Sequence, residues 1–87
     1  MPVISTFFGI MVKMYYRDHN PPHVHAEYQG FHGVFSIETG KLLAGEVPHN
    51  LQFILRRWIQ IHRGALNVNW SRAQVNESLL KIPGADQ

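Results

Sequence analysis

The 87-residue chain has no cysteine, only six acidic side chains, and no apolar run near the roughly 20 residues that a membrane-spanning helix needs. Without cysteine there is no disulfide, no thiolate zinc site and no thiol nucleophile, and the absence fits a reducing, cytoplasmic setting. No glycine-rich phosphate loop and no Gly-x-Ser-x-Gly elbow occurs, which sets aside the chemistry those motifs carry. The opening residues, Met1-Pro2-Val3-Ile4-Ser5, lack the basic segment and long apolar stretch of a secretory signal. Repeats, low-complexity tracts and linkers are also missing. Charged residues make up only 16% and the net charge is +2, which permits a nucleic-acid or acidic-protein partner without arguing for one. The 45% of hydrophobic residues is the content of one folded domain, residues 1–87, with a modest core.

Histidine is what the chain does have. Three of its six histidines fall in the run Asp18-His19-Asn20-Pro21-Pro22-His23-Val24-His25. His23 and His25 alternate on an expected strand, so their side chains leave the same face. The proline pair keeps His19 from sharing a continuous strand or helix with them.

Alternation predicts a sheet over about residues 3–46. Phe8, Ile10, Val12, Met14 and Tyr16 form one face of a strand, with Met11, Lys13, Tyr15 and Arg17 on the other. Asp18 to Pro22 reads as a loop. A strand from His23 to Tyr28, a turn over Gln29–Gly33, a strand from Val34 to Glu38 and a short strand near Leu42–Ala44 follow. Helices are expected over about 48–78. Pro48 opens the first, and Leu51, Ile54, Leu55, Trp58 and Ile59 form its apolar stripe. Gly64 is read as its end or kink, and a second helix from about Ala65 to Glu77 carries Leu66, Trp70 and Ala73. A tail over about 79–87, with Pro83-Gly84, is expected to fray. The expected fold class is α+β, an antiparallel sheet of three to four strands with two C-terminal helices packed on one face.

Opposed residues share a face, so apolar must meet apolar. This parity sets Arg17 opposite His23, Tyr15 opposite His25 and Lys13 opposite Glu27. In the next hairpin it sets Tyr28 opposite Gly33, Val24 opposite Ile37, His25 opposite Ser36 and His23 opposite Glu38. The open face then gathers Lys13, Tyr15, Arg17, His23, His25, Glu27, Ser36 and Glu38.

That face has three readings. His23 and His25, with His19 and Asp18, have the nitrogen and oxygen donors of a site for zinc or another divalent metal. His23, His25, Glu38, Tyr15 and Arg17 instead supply the base, acid and cation that metal-free RNA cleavage requires. The plainer alternative is a solvated face with cross-strand pairs and a capped turn. On the helices, Arg56, Arg57, Arg63 and Arg72 offer positive charge to nucleic acid, against the ordinary alternative of a solvated helix face. Trp58 and Trp70 read as core, and His32 and His49 as turn residues.

The run Asp18-His19-x-Pro21-Pro22-His23-x-His25 resembles the signature of a small bacterial family of unknown function, number 4160 among such domains. Phe7-Phe8-Gly9-Ile10, Met14-Tyr15, Gly45-Glu46-Val47-Pro48, Trp58, His62 and Leu66-x-x-Asn69-Trp70 extend the resemblance along nearly the whole chain. Val24 departs from it, where the family often has phenylalanine. The resemblance implies a gene pairing with a second small family that suggests a toxin–antitoxin module. The expected protein is therefore one component of such a pair, binding a small cognate protein, with RNA or DNA as a second candidate partner. A metal-assisted hydrolase, a metal-free ribonuclease and a pure interaction module are the rivals. No membrane partner is expected. An exposed edge strand would allow a second copy to pair.

Overall fold

A computed structural model describes residues 2–87. Five strands pair as an antiparallel meander in chain order: β1 (Val3–Phe7), β2 (Ile10–Lys13), β3 (His23–Tyr28), β4 (Phe31–Ser36) and β5 (Leu42–Glu46). Two helices follow, α1 (His49–Ile61) and α2 (Arg63–Gln74). The α+β class is as expected, but the sheet has five strands rather than three to four.

The additional strand was hidden by a turn inside an apparent alternation. Phe8 and Gly9 take φ of +52° and +77°, the paired positive values of a tight hairpin turn whose twist matches the flanking strands. The expected strand from Phe8 to Tyr16 is thus shortened to β2, and β1 precedes it. An irregularity between Val3 and Ser5 breaks the period of β1, so its buried residues, Ile4, Ser5 and Phe7, do not alternate.

The second hairpin turns on the same chemistry. Gln29 and Gly30 have φ of +45° and +85°, so the loop has two residues, and Gly33 pairs with Ala26 within the ladder. The expected β3–β4 register is therefore displaced by two residues, and the β2–β3 register differs from expectation by the same amount. Lys13 opposes His25 and Met11 opposes Glu27; His23 opposes Ser36 and Val24 opposes Phe35. A slip of two leaves every side chain on its assigned face. Lys13 and Glu27 still meet, diagonally, with Nζ donating to Oε2 at 2.9 Å.

The apolar face carries Ile10, Val12, Val24, Ala26 and Phe35, all buried, against Leu51, Leu55, Trp58 and Ile59 of α1. Trp58 packs on Phe7 with centroids 5.1 Å apart. The helix break falls at His62, not at Gly64, which lies within α2. α2 buries Leu66, Asn69, Trp70 and Ala73, and it spans the end of the sheet where β3 begins and β4 ends. There Arg17 N donates to Ala73 O at 3.1 Å and Arg63 Nε donates to Ile37 O at 3.2 Å.

Residues beyond α2 form no regular element, yet they are tied down rather than frayed. Asn69, with no exposed surface, donates to Leu80 O and accepts from Leu80 N, both at 2.8 Å. Ile82 N donates to Ile4 O at 2.8 Å, and Trp58 Nε1 donates to Pro83 O at 2.8 Å. The tail thereby covers the β1 edge, whose amides and carbonyls would otherwise stand open. No helix among the described residues is long and apolar enough to cross a membrane.

Candidate functional site

The loop between β2 and β3 folds Asp18 back over the start of β3. Its closing segment contains a cis Asn20–Pro21 bond. Arg17 takes φ of +56°, and its amide is held by α2, so Asp18 is delivered from an anchored position.

Asp18 Oδ2 stands 2.8 Å from His23 Nε2 and 3.4 Å from His25 Nε2. Its other oxygen accepts from the His19 amide at 2.8 Å. One ligating atom from each of Asp18, His23 and His25 lies within 4.8 Å of the others. His23 is almost fully buried, with its ring 5.3 Å from that of Trp70. His25 is flanked by Tyr15, edge to face at 4.4 Å between centroids.

The decisive contact is behind His23. Its Nδ1 lies 2.7 Å from Pro21 O. A carbonyl oxygen only accepts, so Nδ1 carries a proton and donates to it. In the neutral ring Nε2 is then a bare lone pair, facing a carboxylate oxygen 2.8 Å away. Two acceptors do not hold that distance alone. The contact requires either a proton shared between the two atoms or a cation that bridges them. A ring nitrogen pinned by a backbone carbonyl, with the other presented to a ligand, is the usual second shell of a metal-bound histidine.

Electrostatics agree with a charged Asp18 and a neutral His25. Burial pushes the Asp18 carboxyl up, but the hydrogen bond from the His19 amide and the close contacts with the His23 and His25 rings outweigh it and hold the group below its ordinary value. Burial pulls His25 down, against the raising bond to Asp18, and the nearby His23 and His32 act in the same direction as burial.

Of the residues singled out from sequence, Asp18, His23, His25 and Tyr15 come together. His19 turns outward, its side chain 82% exposed and its Nε2 3.7 Å from Asp18 Oδ1. Arg17 points elsewhere: the Asn76 amide, with its oxygen toward Arg17, accepts from Nε and Nη2 at 3.1 Å each. Glu38, expected opposite His23, lies exposed in the turn after β4, and Ser36 stands opposite His23 in its place. Of the helix arginines, Arg63 bonds Ile37 O and Arg72 bonds Ser78 O and pairs with Glu77, leaving Arg56 and Arg57 exposed.

His32 was missed. Its Nε2 lies 3.1 Å from His25 Nδ1. The signal was present: reading Gln29-Gly30 as a two-residue turn sets His32 opposite Glu27, on the face of His25 and diagonal to it. Trp70 was read as core alone, and it also walls His23.

This geometry falls within a segment of recognised kind. The model of the family described as domain of unknown function (DUF4160) matches residues 9–71. The chain belongs to the DUF4160 family. The matched segment includes Asp18, His23, His25, His32 and Trp70, and excludes β1 and the tail. No curated protein and no solved structure matches this DUF4160 chain.

Proposed function

We propose that this chain binds a divalent transition-metal ion of the zinc class through Asp18 Oδ2, His23 Nε2 and His25 Nε2, and that the bound ion serves hydrolysis. The observation that carries the reading is the Nδ1–H of His23 donating to Pro21 O while Nε2 faces Asp18. A tetrahedral ion with bonds of about 2.0–2.2 Å sets its ligand atoms roughly 3.3 Å apart. His25 Nε2 to Asp18 Oδ2 already has that spacing at 3.4 Å, and His23 to Asp18, at 2.8 Å, needs only a small opening. Three protein donors leave one position for water, whose proton the ion would loosen toward neutral pH. The exposed side of Asp18 and His25 admits solvent to that position.

Zinc titration of the purified chain against a chromophoric chelator tests this. One equivalent bound with sub-micromolar affinity, and lost in Asp18→Asn, is the expected result. No binding tighter than micromolar by the wild-type chain overturns it and leaves His23 beside Asp18 as the metal-free acid/base alternative.

A partner-binding role has its own support. A groove between α1 and the tail is lined by Phe8, Phe53, Trp58, Ile61 and Ala85, and Phe53 and Ile61 are 66% and 65% exposed. Exposed apolar surface of this kind marks protein interaction sites, and it is consistent with one component of a toxin–antitoxin pair. Mixing a candidate small cognate protein with the chain, and with its Phe53→Glu variant, is the test: a complex that forms with the first and is lost with the second supports the role.

A further inference from the structure

We infer that His32 is a positioning residue for His25: it accepts the Nδ1 proton of that ring and so holds Nε2 bare toward the metal position. The inference rests on the metal-binding reading above. His25 Nδ1 and His32 Nε2 are 3.1 Å apart, while the two ring centroids are 5.2 Å apart and the planes differ by 20°. The nitrogens stand much closer than the centroids, so the rings meet edge to edge in nearly one plane. That is the arrangement of an N–H···N hydrogen bond rather than a face-to-face stack.

The contact completes a symmetry between the two ligand histidines. His23 Nδ1 is pinned by the Pro21 carbonyl, and His25 Nδ1 by His32. Both Nε2 atoms converge on Asp18 Oδ2. His32 approaches His25 from the side opposite Asp18, which makes it a poor candidate for a third nitrogen ligand and a good one for an outer acceptor. Such partners fix ring tautomer and orientation, and their removal costs about 10- to 100-fold in metal affinity.

The backbone keeps His32 in place by an unusual device. Gly45 of β5 has φ of +82°, and a Cβ there would lie 2.2 Å from the His32 carbonyl oxygen. Only glycine allows β5 to close on β4 at this point. Gly45 thus bears on the site from the far strand.

The experiment compares zinc affinity of the wild-type chain, Asp18→Asn, His32→Ala and His32→Gln, with the His25 Nδ1–H resonance followed in the zinc-loaded protein. Gln keeps an acceptor oxygen near the place of Nε2 and is a weak zinc ligand. The expected pattern is a 10- to 100-fold loss in His32→Ala, recovery of most of it in His32→Gln, and a slowly exchanging Nδ1–H in the wild type that exchanges quickly in His32→Ala. Unchanged affinity in His32→Ala, with binding abolished by Asp18→Asn, overturns the role of His32 and keeps the metal site. Loss in His32→Ala with no recovery in His32→Gln also overturns it, in favour of direct ligation. No zinc bound by the wild type fells the metal reading itself.

Discussion

Two polar regions of this molecule have similar raw material and different fates. The histidine corner draws Asp18, His23, His25 and His32 from a loop and two strands into one hydrogen-bonded group, with His23 buried and Asp18 and His25 half-buried. The arginines of α1 and α2 are as numerous but do not converge: two are occupied by backbone carbonyls and two extend into solvent. The contrast teaches that residue type nominates a site, while shared direction and desolvation make one. Exposed charges on separate turns of a helix keep their own water and have little hold on each other.

The contrast can be broken most forcefully at Asp18. Asp18→Asn should lower zinc affinity by at least about 100-fold, a loss of roughly 3 kcal/mol in binding, whereas Arg56→Glu with Arg57→Glu should leave it within about twofold. Equal effects at both regions would erase the distinction.

Next is His23→Ala. It removes a ring that fills buried space against Trp70 and leaves Asp18 and Pro21 O short of a partner. Chemical denaturation should show a loss of about 2–3 kcal/mol. Gly45→Ala should cost about 1–3 kcal/mol, because its φ and the His32 carbonyl both oppose a side chain.

A smaller effect separates the regions by pH. Asp18 is depressed in the folded state, so its contribution is full above the ordinary carboxyl value of 3.8 and is lost as pH falls below it. His25 is also depressed: its neutral form is the folded one, so stability is full above 6.5 and declines as pH drops from there toward the lower folded value. Acid titration of the metal-free chain should therefore show two losses, the first absent in His25→Phe and the second in Asp18→Asn. Smallest of all, the double reversal at Arg56 and Arg57 should change stability by no more than about 0.5 kcal/mol. A nucleic-acid complex that weakens steeply with salt and is lost in that variant would instead make the arginine face a site of its own.

Much of this was legible in the chain. Alternation assigns the buried face of β2 to β4, the period of 3.6 gives the helical stripe of α1, and the His-x-His spacing puts His23 and His25 on one face. Two of the misreadings share one cause. A positive φ at Phe8 or Gln29 leaves no mark on hydrophobic period, so β1 went unread and the β3–β4 register was set two residues off; the β2–β3 register, closed by the long loop over residues 14–22, differs by the same two residues. The slip preserved the faces and yet moved Glu38 out of the site and His32 into it.

Sequence alone determined which side chains face the core and which face outward, because a period of 2.0 or 3.6 is a local property of the backbone. It also determined the donor types available at the corner. Tertiary structure alone decided which outward side chains meet. Pairing register, the fold-back of Asp18 and the placing of α2 across the sheet end bring together atoms far apart in the chain, and no local periodicity specifies their distances. The tautomer of His23 belongs to that second class, since it is set by a carbonyl that only the folded loop aims at the ring.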